Sequence, residues 1–141
     1  MHNQPSQTHA QTHAAGSDKA APSNPQLKGI EQLPGTYAFD LAASARGMRL
    51  NRFLIGLGHA DKRAAYKADA EAAMAAAGLS ETERALLRRL DWLGLVKLGA
   101  SFFTLEKLAR CHGVPNPAMC AQMRGETLPQ FLQTRRVPGA M

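Results

Sequence analysis

The side chains of this sequence that could carry redox or hydrolytic chemistry are its five histidines and two cysteines. Three of the histidines, His2, His9 and His13, lie in a polar stretch near the start of the chain. An iron site of two histidines and one carboxylate would therefore have to combine His59, His112 and a distant acid. Neither histidine has a second histidine or a carboxylate three or four positions away, the spacing that places two ligands on one helical turn. The pattern favours two ordinary histidines and no metal bound by this chain.

The remaining reactive groups point in the same direction. Cys111 and Cys120 match neither a CxxC motif nor a zinc-ribbon spacing, and we expect both to behave as small apolar side chains on helices. No phosphate-binding loop occurs, because the chain contains neither GxGxxG nor GxxxxGK[ST]. We therefore predict that the chain binds no cofactor and acts beside a partner.

The composition predicts one globular domain with tails, since 45% of the residues are hydrophobic and 20% are charged. Residues 1–33 are rich in Gln, Ser, Pro and His and contain a tandem QTHA, which predicts a disordered low-complexity tail. A Pro-Gly-Thr turn at residues 34–36 then begins a domain predicted to cover 34–134, followed by a C-terminal tail at 135–141. No apolar run is long enough to span a bilayer and no secretory signal is present, so we expect a cytoplasmic protein.

The hydrophobic spacing predicts an all-α compact bundle of about five to seven short helices, because no segment alternates with a period of two. A capping box at Ser80 and Glu83 predicts the start of one helix, and Ser101 the start of another. Asp61 is predicted to cap a helix that carries an ion pair between Lys67 and Glu71. The six predicted helices lie at about residues 50–57, 61–77, 81–96, 101–112, 119–123 and 128–132.

The net charge of +6 admits a nucleic acid, an acidic protein or an anionic substrate as partner. Residues 104–129 resemble a helix-turn-helix, which makes a DNA-binding regulator the alternative interpretation. Against it, Pro115 and Pro117 fall where the recognition helix would begin, and the segment after them offers base edges only one polar side chain.

A longer resemblance covers residues 35–123. Eight landmarks carry it, in a constant order: GTYAFD at 35–40, RGMRLN at 46–51, YKAD at 66–69, GLS at 78–80, DWLGL at 91–95, LG at 98–99, FF at 102–103 and KL at 107–108. In these the chain resembles the small (alpha) subunit of protocatechuate 4,5-dioxygenase, an extradiol ring-cleavage dioxygenase. The same unit also occurs as an appended domain in related gallate dioxygenases.

The resemblance implies a division of labour between two subunits. In this family the large (beta) subunit holds Fe(II) with two histidines and a carboxylate, together with the base that deprotonates the catechol. The small subunit is helical, non-catalytic and forms part of the roof of that pocket. For this chain the resemblance therefore implies a large catalytic partner in an alpha2beta2 assembly, and a catechol-type aromatic substrate at the shared site.

Individual residues follow from the matching landmarks. Phe103 and Lys107 match family positions that could form a lid over the substrate pocket, although core packing for Phe103 and a solvated face for Lys107 are open alternatives. Four further matches are expected at the interface with the large subunit: Phe39, Arg46, Asn51 and Phe102. For Asn51 a buried hydrogen-bonding role is the alternative.

The sequence departs from the family where the pocket is expected. Residues 99–101 read Gly-Ala-Ser where the family usually has Gly-Gly-Asn, one residue is inserted near 104–107, and residues 123–127 diverge. A catechol other than protocatechuate is therefore an open alternative for the substrate.

Overall fold

The computed structural model describes residues 26, 28–33, 35 and 37–134. This part of the chain contains nine α-helices and no strand, which confirms the all-α prediction. The helices are α1 (Leu41–Arg46), α2 (Met48–Gly56), α3 (Ala60–Ala68), α4 (Ala70–Ala76), α5 (Glu81–Arg89), α6 (Trp92–Lys97), α7 (Phe102–Cys111), α8 (Asn116–Met123) and α9 (Leu128–Gln133). One turn of 3-10 helix, Ile30–Gln32, precedes them. The predicted tails lie outside the described residues, apart from residues 26 and 28–33.

The described helices outnumber the six predicted ones partly because the predicted helix at 61–77 is two helices. Asp69 interrupts it with an extended backbone, φ −152° and ψ 93°, and its side chain accepts a hydrogen bond from the Ala72 amide at 2.9 Å. The prediction that Asp61 is the cap was wrong, since α3 follows His59 and Asp61 lies within its first turn. An aspartate inside an alanine-rich segment starts a new helix here because its carboxylate satisfies a free amide of the next turn.

The predicted ion pair between Lys67 and Glu71 was also wrong. The two residues belong to different helices, α3 and α4, so the i,i+4 geometry of one helix does not apply to them. Glu71 instead pairs with Arg88 and lies 3.9 Å from Arg84, both on α5. The pairing with Arg88 lowers the pKa of the Glu71 carboxyl below its usual value. The charges of α4 thus connect it to α5.

A second predicted helix, at 81–96, is divided at Leu90. This residue has φ 50° and ψ 43°, a left-handed conformation that ends α5, and the Asp91 side chain then accepts from the Gly94 amide at 2.8 Å to start α6.

Helix α1 was not predicted at all. Its six residues are too short to show a helical period, but Asp40 caps it by accepting from the Ala43 amide at 2.7 Å.

Other helix starts were predicted correctly. Ser80 and Glu83 form the capping box of α5, and Ser101 caps α7, which ends at Cys111, one residue before the predicted end. Helix α8 begins earlier than predicted, because Pro117 lies in its first turn, where a missing amide hydrogen costs nothing. The local signals in the sequence therefore predicted the starts of α5, α7 and α9 but not the internal breaks.

The core is mainly aliphatic, with Tyr66 and Trp92 as its aromatic members, and joins α2 through α8 into one cluster. Helix α2 packs against α7, α3 against α4, α5 against α6, and α6 against α8. The largest fully buried side chains are Trp92, Leu50, Leu54, Leu57, Met74, Leu87, Leu95, Leu105, Leu108 and Met119. Each buried leucine contributes about 2 kcal/mol of transfer free energy. Because α2 and α7 both bury leucines, their packing stabilises the positions of the residues at their ends. In the described part of the chain no helix has the length and hydropathy needed to cross a membrane.

Candidate functional site

The side chain of Asn51 joins α2 to the start of α7. Its Nδ2 donates to the carbonyl oxygen of Gly99 at 2.7 Å, and its Oδ1 accepts from the Ser101 amide at 2.9 Å. The hydroxyl of the buried Thr104 lies 2.8 Å from the same Oδ1. One half-buried amide therefore satisfies three groups of the 99–104 segment and fixes where α7 begins. This is the internal role that the sequence left open for Asn51; its role at a partner interface stays a prediction.

Two glycines let the backbones meet at the same place. A Cβ at Gly47 would overlap the carbonyl oxygen of Gly99 and lie 2.9 Å from Asn51 Nδ2. Gly99 itself has φ +104°, and a Cβ there would overlap the carbonyl oxygen of Ala43. The end of α1 and the start of α2 thus press directly on the loop before α7. We call this contact of residues 43–51 with 98–104 the junction.

Large apolar side chains are exposed on the segments that meet at the junction. Among the described residues, nine large hydrophobic side chains are exposed, and six of them belong to these segments or flank them in sequence. The six, which we call the apolar face, are Tyr37, Phe39, Leu41, Met48, Phe102 and Phe103. Leu41 and Phe103 are 78% and 76% exposed, so neither is part of the core. Concentrated exposed apolar surface of this kind is typical of a site that another surface covers.

Helix α7 places the two predicted lid residues on one side. Phe103 and Lys107 are four positions apart on this helix, the spacing at which side chains are neighbours. Phe103 is exposed, which excludes core packing, and Lys107 is half-buried. Phe102 is 39% exposed beside them. The structure therefore brings Phe102, Phe103 and Lys107 to the start of α7 next to the junction; their functional roles remain predictions.

Two other predicted interface residues, Phe39 and Arg46, belong to the segment around α1. Phe39 is 51% exposed just before α1, and Arg46 is exposed at the end of α1. Tyr37 lies near Phe39 in sequence. The ammonium of Lys97 is 5.5 Å from the centre of the Tyr37 ring, and this contact connects the segment before α1 to α6. Leu41 and Met48 were not singled out from the sequence, because apolar residues on a helix normally predict core and nothing in their spacing distinguishes them.

Replacing Asn51 with alanine is expected to lower the free energy of unfolding by about 2 kcal/mol, because the Gly99 carbonyl and the Ser101 amide lose their common partner. Urea unfolding monitored by circular dichroism would measure it. Gln122→Ala serves as the control, since Gln122 is exposed on α8 and should change the stability by less than about 0.5 kcal/mol. An equal effect of both variants would show that the Asn51 network contributes nothing.

A second cluster of titratable groups lies away from the junction, where α3 meets the end of α7. The buried Tyr66 hydroxyl is 3.1 Å from Nε2 of His112, and the two rings meet edge to face at 5.8 Å. Burial raises the pKa of Tyr66, and burial together with the charge of Lys67 lowers the pKa of His112. Cys111 lies beside them, and burial raises the pKa of its thiol. The three pKa shifts all favour the neutral forms of these groups, which suits a structural contact.

The lowered pKa of His112 predicts a loss of stability in acid. Because the folded protein disfavours the imidazolium, the stabilisation is complete above the ordinary pKa of 6.5 and declines as the pH falls through it toward the folded value. We expect the free energy of unfolding to fall more steeply between pH 7.5 and pH 5 in the natural protein than in His112→Gln. Urea titrations at several pH values test this, and parallel curves for the two proteins would contradict it.

The metal-binding and DNA-binding interpretations each require particular side chains among the described residues. Residues 26–134, as far as they are described, contain no group of three or more His, Cys, Asp or Glu side chains close enough to hold a metal ion. His59 is exposed just before α3 and is not a partner in the Tyr66–His112 hydrogen bond. Helix α8, in the position of a recognition helix, has buried Met119 and Ala121 and exposes few polar side chains. The described geometry gives no support to DNA reading by α8.

The fold and the junction define a small helical domain with six large apolar side chains exposed on or beside the junction segments. Comparison with known proteins gives the family: the sequence model described as "Aromatic-ring-opening dioxygenase LigAB, LigA subunit" matches residues 50–136. This match covers more than half of the chain, so the chain belongs to the LigA subunit family of LigAB-type aromatic-ring-opening dioxygenases. The resemblance drawn from the eight landmarks is thereby confirmed at the level of the family.

A curated relative supports the same assignment. The chain is 47% identical over 110 residues to a gallate dioxygenase of Pseudomonas putida. The aligned region covers 78% of this chain and 32% of the relative, so the chain spans about a third of the length of that protein.

Proposed function

We propose that this chain is the non-catalytic small subunit of a two-subunit, Fe(II)-dependent extradiol dioxygenase, and that it caps the active site held by a large subunit. The observation that carries the proposal is the apolar face, an exposed set of side chains mounted on a rigid junction, in a chain of the LigA family. Such a surface is unfavourable in water and becomes favourable when a partner covers it. An assembly of two small and two large subunits is part of this proposal.

The residues of this chain would act on the pocket by covering and positioning. Phe103 is exposed at the start of α7 and can exclude water from a site beneath it, which strengthens electrostatic interactions there. Lys107, one helical turn further along, offers an ammonium to the carboxylate of an aromatic acid. Phe39, Arg46 and Phe102 would contact the large subunit around this lid, while Asn51 holds the junction in shape.

The iron is assigned to the large subunit in this proposal. The described residues of this chain offer no cluster of imidazole and carboxylate groups that fits Fe(II), and His112 is engaged with the Tyr66 hydroxyl. The catalytic base is assigned to the large subunit for the same reason. Acid–base and redox steps therefore belong to the partner, and this chain contributes shape and charge.

The substrate is proposed to be a catechol that carries a carboxylate, with protocatechuate as the first candidate. Gallate is the second, because the relative from Pseudomonas putida is named for it. The divergence of residues 99–101 from the family pattern lies inside the junction, where Gly99 and Ser101 are hydrogen-bonded to Asn51.

Co-expression with a large-subunit dioxygenase gene from the same genome tests the proposal. We expect the two chains to purify together and to consume oxygen with protocatechuate or gallate when Fe(II) is supplied. Each chain is then tested alone with Fe(II) and both catechols. Oxygen consumption by this chain alone, or full activity of the large subunit without it, would refute the accessory role.

A further inference from the structure

A cleft lies between α2 and the alanine-rich pair α3 and α4, and Arg49 is the one lining residue that it shares with the junction. It has a volume of about 420 Å³, within the range of sites that hold small organic molecules. Its walls are apolar: Phe53 and Leu57 from α2, Ala65 from α3, and Ala73 and Ala76 from α4. Because alanine side chains are short, the helices that carry them leave a hollow that larger residues would have filled.

Three cations stand around this apolar cleft: Arg49, Arg52 and Lys62. A Cβ at Gly56 would lie 3.2 Å from Cδ of Lys62. Because Gly56 has no side chain, the aliphatic part of Lys62 can pass over α2 at this residue and bring its ammonium to the cleft. The guanidinium of Arg49 is held by the carbonyl oxygen of Gly78 at 2.8 Å. The residues that line the cleft include no carboxylate.

The positive charge of this cleft is not neutralised by the described part of the protein. Arg52 and Lys62 take part in none of the ion pairs found among residues 37–134. Glu83 lines the neighbouring cleft that Arg49 and Arg52 also border, but its carboxylate accepts from the Ser80 amide at 2.7 Å in the capping box. Apolar walls with unpaired cations at the rim complement a molecule that has a flat apolar body and one negative charge.

We propose that this cleft binds a small aromatic monoanion of the arylcarboxylate type, with its ring between the alanines and Phe53 and its carboxylate at Arg52 and Lys62. This site lies on this chain itself and does not depend on the proposed catalytic partner. None of the six side chains of the apolar face lines it. Binding is therefore measured on the full chain alone. If benzoate does not bind, the proposed dioxygenase function is unaffected, and if the chain has no dioxygenase partner, the proposed cleft is unaffected.

Titration of the full chain with benzoate, followed through amide NMR shifts, tests the proposal. We expect saturable shifts centred on residues 53–57 and 73–77, with a Kd of about 1 mM, the scale for a ligand of this size. Benzamide is the matched neutral probe and should bind at least about fivefold more weakly, because it lacks the charge. Equal binding of benzamide, or displacement of benzoate by an equal concentration of sulfate, would overturn the proposal.

Matched variants locate the site. Ala76→Leu fills the cleft and should weaken benzoate binding about tenfold, whereas Ala75→Leu, on the same helix but outside the cleft, should leave it unchanged. Arg52→Gln and Lys62→Gln should each weaken binding about two- to fivefold, with Arg110→Gln as the control. All five substituted positions are exposed and tolerate change, and circular dichroism verifies the fold. Unchanged binding by Ala76→Leu in a folded protein would refute the assignment.

Discussion

Replacing Phe103 with alanine is expected to weaken the association of this chain with its proposed large subunit about 30-fold, with the fold unchanged. The side chain is 76% exposed at the start of α7, so its removal leaves no cavity in the isolated chain. A large aromatic side chain at the centre of an interface commonly carries about 2 kcal/mol, which corresponds to that factor. Titration calorimetry of the two purified subunits would measure it, and oxygen uptake should fall in parallel.

The matched control for Phe103 is Ile55→Ala. Ile55 is 57% exposed but lies at the other end of α2, away from the junction. We expect it to leave both association and activity within about twofold of the natural protein. If Ile55→Ala weakens association as much as Phe103→Ala, the apolar face is not the interface. If neither does, the partner covers a different surface.

Replacing Gly47 with alanine is expected to lower the free energy of unfolding by about 3 kcal/mol. A methyl group there would overlap the Gly99 carbonyl oxygen, a backbone atom that cannot turn away as a flexible side chain would. Relief requires α1 and α2 to move from the loop before α7, which breaks the hydrogen bonds of Asn51 as well. Chemical unfolding monitored by circular dichroism would measure the change.

Gly56→Ala provides the comparison. Gly56 is helical, and an added methyl would meet only the flexible Lys62 side chain at 3.2 Å. The gain in helix propensity roughly offsets this contact, so we expect a change within about 1 kcal/mol. A loss for Gly47→Ala no greater than for Gly56→Ala would show that the junction adapts, contrary to the rigid support on which the apolar face depends.

The amino-acid sequence by itself determined the all-α class and the starts of α5, α7 and α9. Ser80 with Glu83, and Ser101, could be recognised because a cap is a local device, in which a side chain satisfies amides two or three residues ahead. The family was also accessible, because eight short landmarks kept their order along the chain. Neither kind of information requires knowledge of which residues meet in space.

The helix breaks at Asp69 and Leu90 were decided by the tertiary structure. Asp69 looks like a tolerable residue in an alanine-rich helix, and leucine rarely adopts the left-handed conformation found at Leu90. Both breaks let short helices turn and bury Met74, Leu87 and Trp92 in a common core. Packing of the whole chain outweighs the local preference of a single residue, which no short window of sequence records.

The candidate site shows the same division. The sequence proposed Phe103 and Asn51 but left each with two roles, core or lid for Phe103 and hydrogen bonding or interface for Asn51. Exposure removed the core role of Phe103, and the hydrogen bonds to Gly99 and Ser101 established the internal role of Asn51. A residue's type and spacing indicate which kinds of group it can contact. The contacts that Asn51 makes, however, join residues 48 and 50 positions apart in sequence. Only the packing of α1 and α2 against the loop before α7 decides which contacts form, because apolar burial and steric fit act between surfaces and not along the chain.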